Sequence, residues 1–187
     1  LSFNAVHNFT HQLPADYLEE HRLEDYGDWD PTEEPYIDWY RRSRRPNNPD
    51  GRAHYLGQLH YLDQEVGRIL DHINEIGISE NTLIIYIGDN GGSTPIYADN
   101  TPLRGSKYTL YEGGTRVPLI VSQPGTLPEN KIADNVVSAL DLLPTLLGVA
   151  GQETPDFADG MDIMPILTGE EPHRGHEVLH WKTADEW

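Results

Sequence analysis

An amphipathic segment and the apolar run after it constrain the fold of this chain most. Between residues 54 and 77, apolar side chains recur at three- and four-residue steps, which predicts one long helix that ends at Gly77. Residues 82–88 (TLIIYIG) are apolar on both faces, which is typical of a central parallel strand. With a strand predicted at residues 1–6, these segments indicate a right-handed βαβ unit and an α/β fold with a mostly parallel sheet.

The remaining elements are shorter, and two charge runs lie between them. We predict helices at residues 14–22 and 141–150, and strands at 116–122 and 178–181. Nine carboxylates occur between residues 16 and 34, and four arginines follow at Arg41, Arg42, Arg44 and Arg45. We interpret both runs as solvated surface. Alternatively, the arginines contact an anionic substrate or fold back on the acidic run.

Composition excludes several classes of function. Lys and Arg total 13 against 31 Asp and Glu, a net charge of −18, which excludes a general nucleic-acid binder and disfavours anionic membrane surfaces. No apolar stretch is long enough for a membrane span, and the absence of cysteine excludes disulfides, thiolate metal sites and a cysteine nucleophile. Because the chain starts without Met inside an apolar run, we interpret it as a piece of a longer protein.

Polar side chains follow two of the predicted strands. His7 ends the first strand, and Asp89 and Asn90 come directly after residues 82–88, between glycines. Ligands of open α/β sheets bind beyond the carboxyl ends of the strands, so we expect these groups to lie together. Asp89 and Asn90 offer hard oxygen donors, which suit Ca²⁺ or Mg²⁺. Taken alone, the same residues also fit an ordinary turn and a histidine at the rim of the core.

Two cations lie in the long loop that follows. Residues 89–114 are Gly-rich and polar, and loops of this length are uncommon in compact domains unless they have a function. Arg104 and Lys107 could be surface charges. Their position near potential metal ligands in an acidic chain instead favours an anion held against a metal.

At this point the chain resembles the sulfatase family. The resemblance rests on GDNG at residues 88–91 and TPLRGSKYTLYEGGTRVP at 101–118, and it extends to FNAVH at 3–7, DLLPTLL at 141–147 and DGMD at 159–162. It covers most of the chain and is weakest over residues 23–48.

The resemblance implies an alkaline-phosphatase-like three-layer α/β domain followed by a small antiparallel C-terminal domain. Residues 1–168 would be the later half of the catalytic domain, with 23–50 as a variable insertion, and residues 169–187 would begin the small domain. The implied activity is hydrolysis of a sulfated small molecule or saccharide, with a formylglycine nucleophile and Ca²⁺, or Mg²⁺, in a periplasmic or secreted protein.

The family pattern also implies roles for residues. Asp89 and Asn90 would be metal ligands, Lys107 would bridge the sulfate and the nucleophile, and His7 would contact the sulfate or the leaving-group oxygen. His11 is a substitute for His7. Arg104 is a candidate for substrate binding, although Arg104 and Glu112 fit better as supports of the loop.

The nucleophile motif of the family, Cys/Ser-x-Pro-x-Arg, is absent from the chain. The two Ser-x-Pro triplets, at Ser93 and Ser122, have Tyr97 and Thr126 where the motif needs Arg. We therefore expect the isolated chain to lack turnover and to associate through exposed cut edges. Two alternatives stay open: a phosphatase, phosphodiesterase or phosphonate hydrolase of the same superfamily, and a non-catalytic truncated module that binds an anion or a partner.

Overall fold

The computed structural model describes residues 2–3, 5–7, 13–43 and 49–182. The helices are α1 (Ala15–His21), α2 (Tyr36–Ser43), α3 (Gly51–Glu75), α4 (Glu112–Thr115), α5 (Leu142–Val149) and α6 (Met164–Thr168), and the strands are β1 (Ile84–Ile87) and β2 (Leu119–Ser122). The chain forms two compact units. The first contains Leu1–Ile76 and Asp89–Val117, and the second contains Gly77–Gly88 and Pro118–Trp187. The boundary predicted between residues 168 and 169 stays a prediction. No helix in the described ranges combines the length and apolarity that a bilayer crossing requires.

The long helix predicted at residues 54–77 is confirmed as α3, which begins at Gly51 and ends at Glu75. Gly77 follows with φ +72°, the left-handed conformation that glycine adopts at low cost. On the apolar stripe, Leu62 is buried, whereas Leu59 and Ile76 are 46% and 54% exposed. The stripe is therefore only partly covered within this chain.

Residues 13–43 pack on the N-terminal part of α3. Leu18 of α1 and Trp39 of α2 are each 3% exposed, and the Trp39 indole N–H donates to the backbone carbonyl of Tyr26 at 3.3 Å. His54 of α3 is fully buried, and its Nε2 lies 2.9 Å from the carbonyl oxygen of Glu24. Burial, together with the nearby Glu24, raises the pKa of Tyr26 to about 12. These contacts attach the segment predicted as an insertion to the helix that carries part of the site.

The two charge runs contact each other. Arg42 donates two hydrogen bonds, of 2.8 and 2.9 Å, to the carboxylate of Glu34, and these bonds lower the pKa of Glu34 below its ordinary value. For Arg42 the structure thus favours the alternative in which the arginines fold back on the acidic run. Arg44 and Arg45 lie outside the described residues.

The direction of strand pairing differs from the expectation. β1 and β2 pair antiparallel, with Ile84 opposite Ser122 and Ile87 opposite Leu119, whereas the sequence predicted a parallel arrangement around β1. A run that is apolar on both faces indicates burial but carries no information on the direction of its neighbour. In this pairing, residues 88–118 leave and return at one end of the strand pair, and the Gly88 N–H donates to the Pro118 carbonyl at 3.1 Å.

Two predicted strands are not found among the described residues. Residues 2–3 and 5–6 form no strand, and neither do residues 178–181. Leu1 and Asn4 lie outside the described residues. A strand needs a hydrogen-bonded neighbour, and the described chain supplies none to either segment.

The second unit is organised around the fully buried Asp141. Its carboxylate accepts the backbone N–H groups of Ser138 (2.7 Å) and Met161 (2.9 Å), and His176 Nε2 lies 2.8 Å away. The hydroxyl of Thr145 donates to the Asp141 carbonyl at 2.6 Å. These bonds connect Asp141, which lies just before α5, to the segments on either side of the helix. The runs at residues 141–147 and 159–162 therefore stabilise the fold of the second unit.

Candidate active site

A cavity of about 160 Å³ in the first unit contains most of the predicted site. Its walls include His7, Asp89, Asn90 and Lys107, which the sequence placed together at one edge. Arg104 is not among the lining residues. The substitute for His7, His11, lies outside the described residues.

A contact between two side chains of the cavity joins His7 and Lys107. Lys107 Nζ lies 3.2 Å from His7 Nε2, although the two residues are one hundred positions apart in the chain. An ammonium can only donate, so the ring nitrogen is the acceptor in this contact. On the other side, the His7 backbone N–H faces Gln58 Oε1 of α3 at 3.4 Å. The pair therefore offers a cation and a titratable nitrogen to the same small space.

Asp89 and Asn90 supply the oxygen donors of the cavity. Both are exposed, and neither makes a hydrogen bond or an ion pair within the part of the chain that is described. A carboxylate and an amide oxygen match the ligands that a hard divalent cation prefers. No group of three or more His, Cys, Asp or Glu side chains that could hold a metal occurs among the described residues. The two residues thus fit part of a cation's coordination shell, and the shell would need other oxygens to be complete.

The loop holds Lys107 in place through its backbone. The Lys107 N–H donates to the carbonyl of Gly92 at 3.1 Å. Asn100 donates through its side-chain amide to the same carbonyl at 2.8 Å and to that of Gly105 at 3.1 Å. Asn100 is therefore a positioning residue for this part of the loop.

Close backbone contacts that involve glycines join distant parts of the loop. The Gly91 N–H donates to the Gly114 carbonyl at 2.9 Å, and the Gly113 N–H donates to the Arg104 carbonyl at 2.7 Å. A Cβ atom at Gly91 would overlap the carbonyl oxygen of Gly113. The two ends of the loop approach each other this closely only because these residues have no side chains.

The geometry around Arg104 agrees with a role in the loop itself. Its guanidinium carbon lies 3.9 Å from the centroid of the Tyr111 ring, a cation–π contact. Glu112 and Arg116 form an exposed ion pair of 3.3 Å on α4. Substrate binding by Arg104 stays a prediction that the cavity does not favour.

The sequence did not point to Tyr55, Gln58 or Asn100. Tyr55 lines the cavity, and burial raises its pKa above the ordinary value. A signal for Tyr55 was present, because it lies four residues before Leu59 and so continues the apolar stripe of α3 towards the helix N-terminus. Gln58 and Asn100 act through contacts between distant segments, which a local pattern does not predict.

Comparisons with known proteins agree with these motifs. The family model described as Sulfatase matches residues 1–152. A curated sulfatase of Formosa agariphila is 35% identical over 164 residues, which cover 79% of this chain and 30% of that protein. Human arylsulfatase A is 37% identical over 130 residues, which cover 66% of this chain and 25% of that protein. The chain thus spans less than a third of the length of these relatives.

Solved structures give the fold. The structure described as Ps i-CgsB in complex with k-i-k-neocarrahexaose superposes with a TM-score of 0.71 at 28% identity, over 93% of this chain and 34% of that one. A sulfatase of Bacteroides fragilis, itself described as putative, superposes at 0.62 and 24% identity over 90% of this chain and 36% of that one. The phosphonate monoester hydrolase of Silicibacter pomeroyi reaches 0.52 at 31% identity over 63% of this chain and 22% of that one. The chain belongs to the sulfatase family and has the alkaline-phosphatase-like fold.

Proposed function

We propose that this chain carries part of the active site of a sulfuric ester hydrolase. The observation that carries the proposal is the 3.2 Å contact between His7 and Lys107 in a cavity that Asp89 and Asn90 also line. Family membership alone would not require these four residues to meet. Their convergence supports one site that binds a negatively charged ester.

Lys107 stabilises negative charge in this proposal. Cleavage of a sulfate ester increases charge on the non-bridging and leaving-group oxygens, and a fixed ammonium beside them favours the transition state. Lys107 forms no ion pair with a carboxylate in the described part of the chain, so its charge is not already neutralised by such a partner. A preorganised donor of this kind contributes on the order of 10²–10³ in rate.

His7 handles a proton in the same proposal. While Nε2 accepts from Lys107 it carries no proton. When the ammonium turns to the ester, Nε2 takes a proton from solvent. A protonated His7 beside the leaving-group oxygen would then donate to it. General acid catalysis of this kind contributes roughly 10²–10⁴ in rate.

The remaining parts of the proposal concern groups that the chain does not supply. Asp89 and Asn90 would hold a divalent cation, Ca²⁺ or Mg²⁺, which polarises ester oxygens when bound. The formylglycine nucleophile would come from a Cys/Ser-x-Pro-x-Arg segment outside this sequence. We therefore propose that the chain alone is inactive.

The substrate class and location are also proposals. A structural relative is described in complex with an oligosaccharide, which supports a sulfated saccharide as the substrate, with a sulfated small molecule as the other choice. Export to the periplasm or the medium rests on family membership alone.

A second candidate function is hydrolysis of a phosphorus ester instead of a sulfate ester. Similarity to a phosphonate monoester hydrolase supports a phosphatase, phosphodiesterase or phosphonate hydrolase. The family match and the two curated sulfatases described above favour sulfate. A non-catalytic module that binds an anion or a partner is the third choice.

The test uses the whole protein that contains this sequence, produced with a formylglycine-forming activity. We expect it to hydrolyse an aryl sulfate faster than the matching aryl phosphate and phenyl phosphonate. Preference for either phosphorus ester would establish the second candidate, and no turnover of any ester would favour the non-catalytic module. Aryl sulfate hydrolysis by the purified 187-residue chain would contradict its proposed inactivity.

A further inference from the structure

We propose that Tyr55 contacts the substrate, with its phenolic hydroxyl donating a hydrogen bond to an oxygen of the bound ester. The inference rests on the proposed function, because it needs an ester or its anion in the cavity. It assigns a role to a residue that the sequence motifs leave out.

The first support is the position of Tyr55. It lines the same cavity as His7, Asp89 and Lys107 and lies on α3. Three residues later on the same helix, Gln58 faces the His7 backbone N–H. One helix therefore carries both a wall of the cavity and an anchor for its histidine, which fixes Tyr55 relative to the polar groups.

The second support is the state of the hydroxyl. Within the described part of the chain, the Tyr55 ring contacts that of Tyr97, with centroids 6.5 Å apart, but its hydroxyl makes no hydrogen bond. The residue is only partly exposed. A tyrosine hydroxyl that has no protein partner at a cavity wall is available to donate to a ligand group.

The third support is the chemistry that the cavity needs. Sulfate oxygens only accept hydrogen bonds, whereas Asp89 contributes a carboxylate that repels them unless a cation intervenes. Lys107 supplies the charged donor. A phenol keeps its proton at neutral pH, and burial raises the pKa of Tyr55 further, so its hydroxyl acts as a donor. A neutral, directional donor orients the ester without adding charge.

The experiment compares Tyr55→Phe with Tyr61→Phe in the whole protein. Both changes remove one hydroxyl from α3, but Tyr61 lies outside the cavity and packs against Tyr17, with ring centroids 5.4 Å apart. We expect Tyr55→Phe to lower kcat/KM for an aryl sulfate by roughly 10- to 100-fold, the usual effect of losing a hydrogen bond to a charged group. We expect Tyr61→Phe to stay within twofold of the parent, and both variants to keep its thermal midpoint.

A binding measurement separates the possible failures. Calorimetric titration with inorganic sulfate should give a dissociation constant at least fivefold higher for Tyr55→Phe than for the parent and for Tyr61→Phe. If the parent is active and the Tyr55→Phe variant has the same kcat/KM and the same dissociation constant for sulfate, the inference is overturned and the proposed function stands. A parent that hydrolyses no ester overturns the proposed function, and if it also fails to bind sulfate, both proposals are overturned.

Discussion

His7 and Lys107 place an imidazole nitrogen and an amine nitrogen side by side in the cavity. At 3.2 Å, an ammonium tolerates a neutral imidazole, whereas an imidazolium at the same distance would be repelled. An anion placed against both nitrogens removes that repulsion. The pair is therefore an arrangement that a bound anion would stabilise.

The contribution of Lys107 can be measured against another lysine of the chain. In the whole protein, we expect Lys107→Ala to lower kcat/KM for an aryl sulfate about 10²–10³-fold, because the transition state loses a fixed positive charge. Lys131→Ala removes an exposed lysine of the second unit and should leave the rate within twofold. A Lys107→Ala enzyme within threefold of the parent would remove this residue from the mechanism.

At the scale of elements, the loop of residues 88–118 is a folded element rather than a flexible connection. Asn100 and Lys107 both donate to the Gly92 carbonyl, and the Gly91 N–H donates to the Gly114 carbonyl. Because these bonds join residues that lie apart in the loop, a change at one glycine should also disturb Lys107.

Alanine substitutions at two glycines should have opposite effects. A Cβ at Gly91 would overlap the backbone oxygen of Gly113, so Gly91→Ala should destabilise the protein by about 1–3 kcal/mol. Gly67 lies within α3 with nothing within 4 Å of its added Cβ, so Gly67→Ala should stabilise by up to about 1 kcal/mol. Urea denaturation of both variants measures the difference. Destabilisation of equal size in both would contradict the close packing described for the loop.

Helices were predictable at this scale, and strand partners were not. The period of the stripe from Leu59 to Ile76 is local information, so α3 was found with an error of a few residues. The direction of β1 and the absence of strands at residues 2–3 and 178–181 depend on neighbours far away in sequence. The same distinction holds for the candidate site. Sequence motifs pointed to Asp89 and Lys107, whereas Tyr55 and Asn100 were identified only from contacts between distant segments.

At the scale of the whole molecule, apolar surface remains uncovered. Tyr86 and Ile120 face each other across the strand pair and so share one side of it, where they are 41% and 61% exposed. The stripe of α3 is also partly exposed. Exposed apolar surface of this kind is typical of an interface. The chain also spans only 30% of the length of the Formosa agariphila relative.

We therefore expect the purified chain to associate with itself. Sedimentation velocity should show species larger than 21.2 kDa that increase with concentration. Ile120→Glu should shift the distribution towards the monomer, because a charge on that face opposes burial. Ile37→Glu changes an isoleucine of α2 that is 47% exposed and should have little effect. A parent chain that stays monomeric at all concentrations would contradict the expectation.

Calcium affinity tests how much of the proposed metal site this chain contains. Ca²⁺ takes six to eight oxygens, and the chain offers Asp89 and Asn90 without a third acidic or histidine ligand in a group among the described residues. We expect calorimetry on the isolated chain to give a dissociation constant of about 10⁻³ M or weaker. Asp89→Asn should abolish the remaining signal. Asp99→Asn should not, because the Asp99 carboxylate is engaged by hydrogen bonds from Thr101, which lower its pKa. Micromolar affinity in the parent would mean that the chain holds further oxygen ligands, and that Asp89 and Asn90 are then a smaller part of the site than proposed.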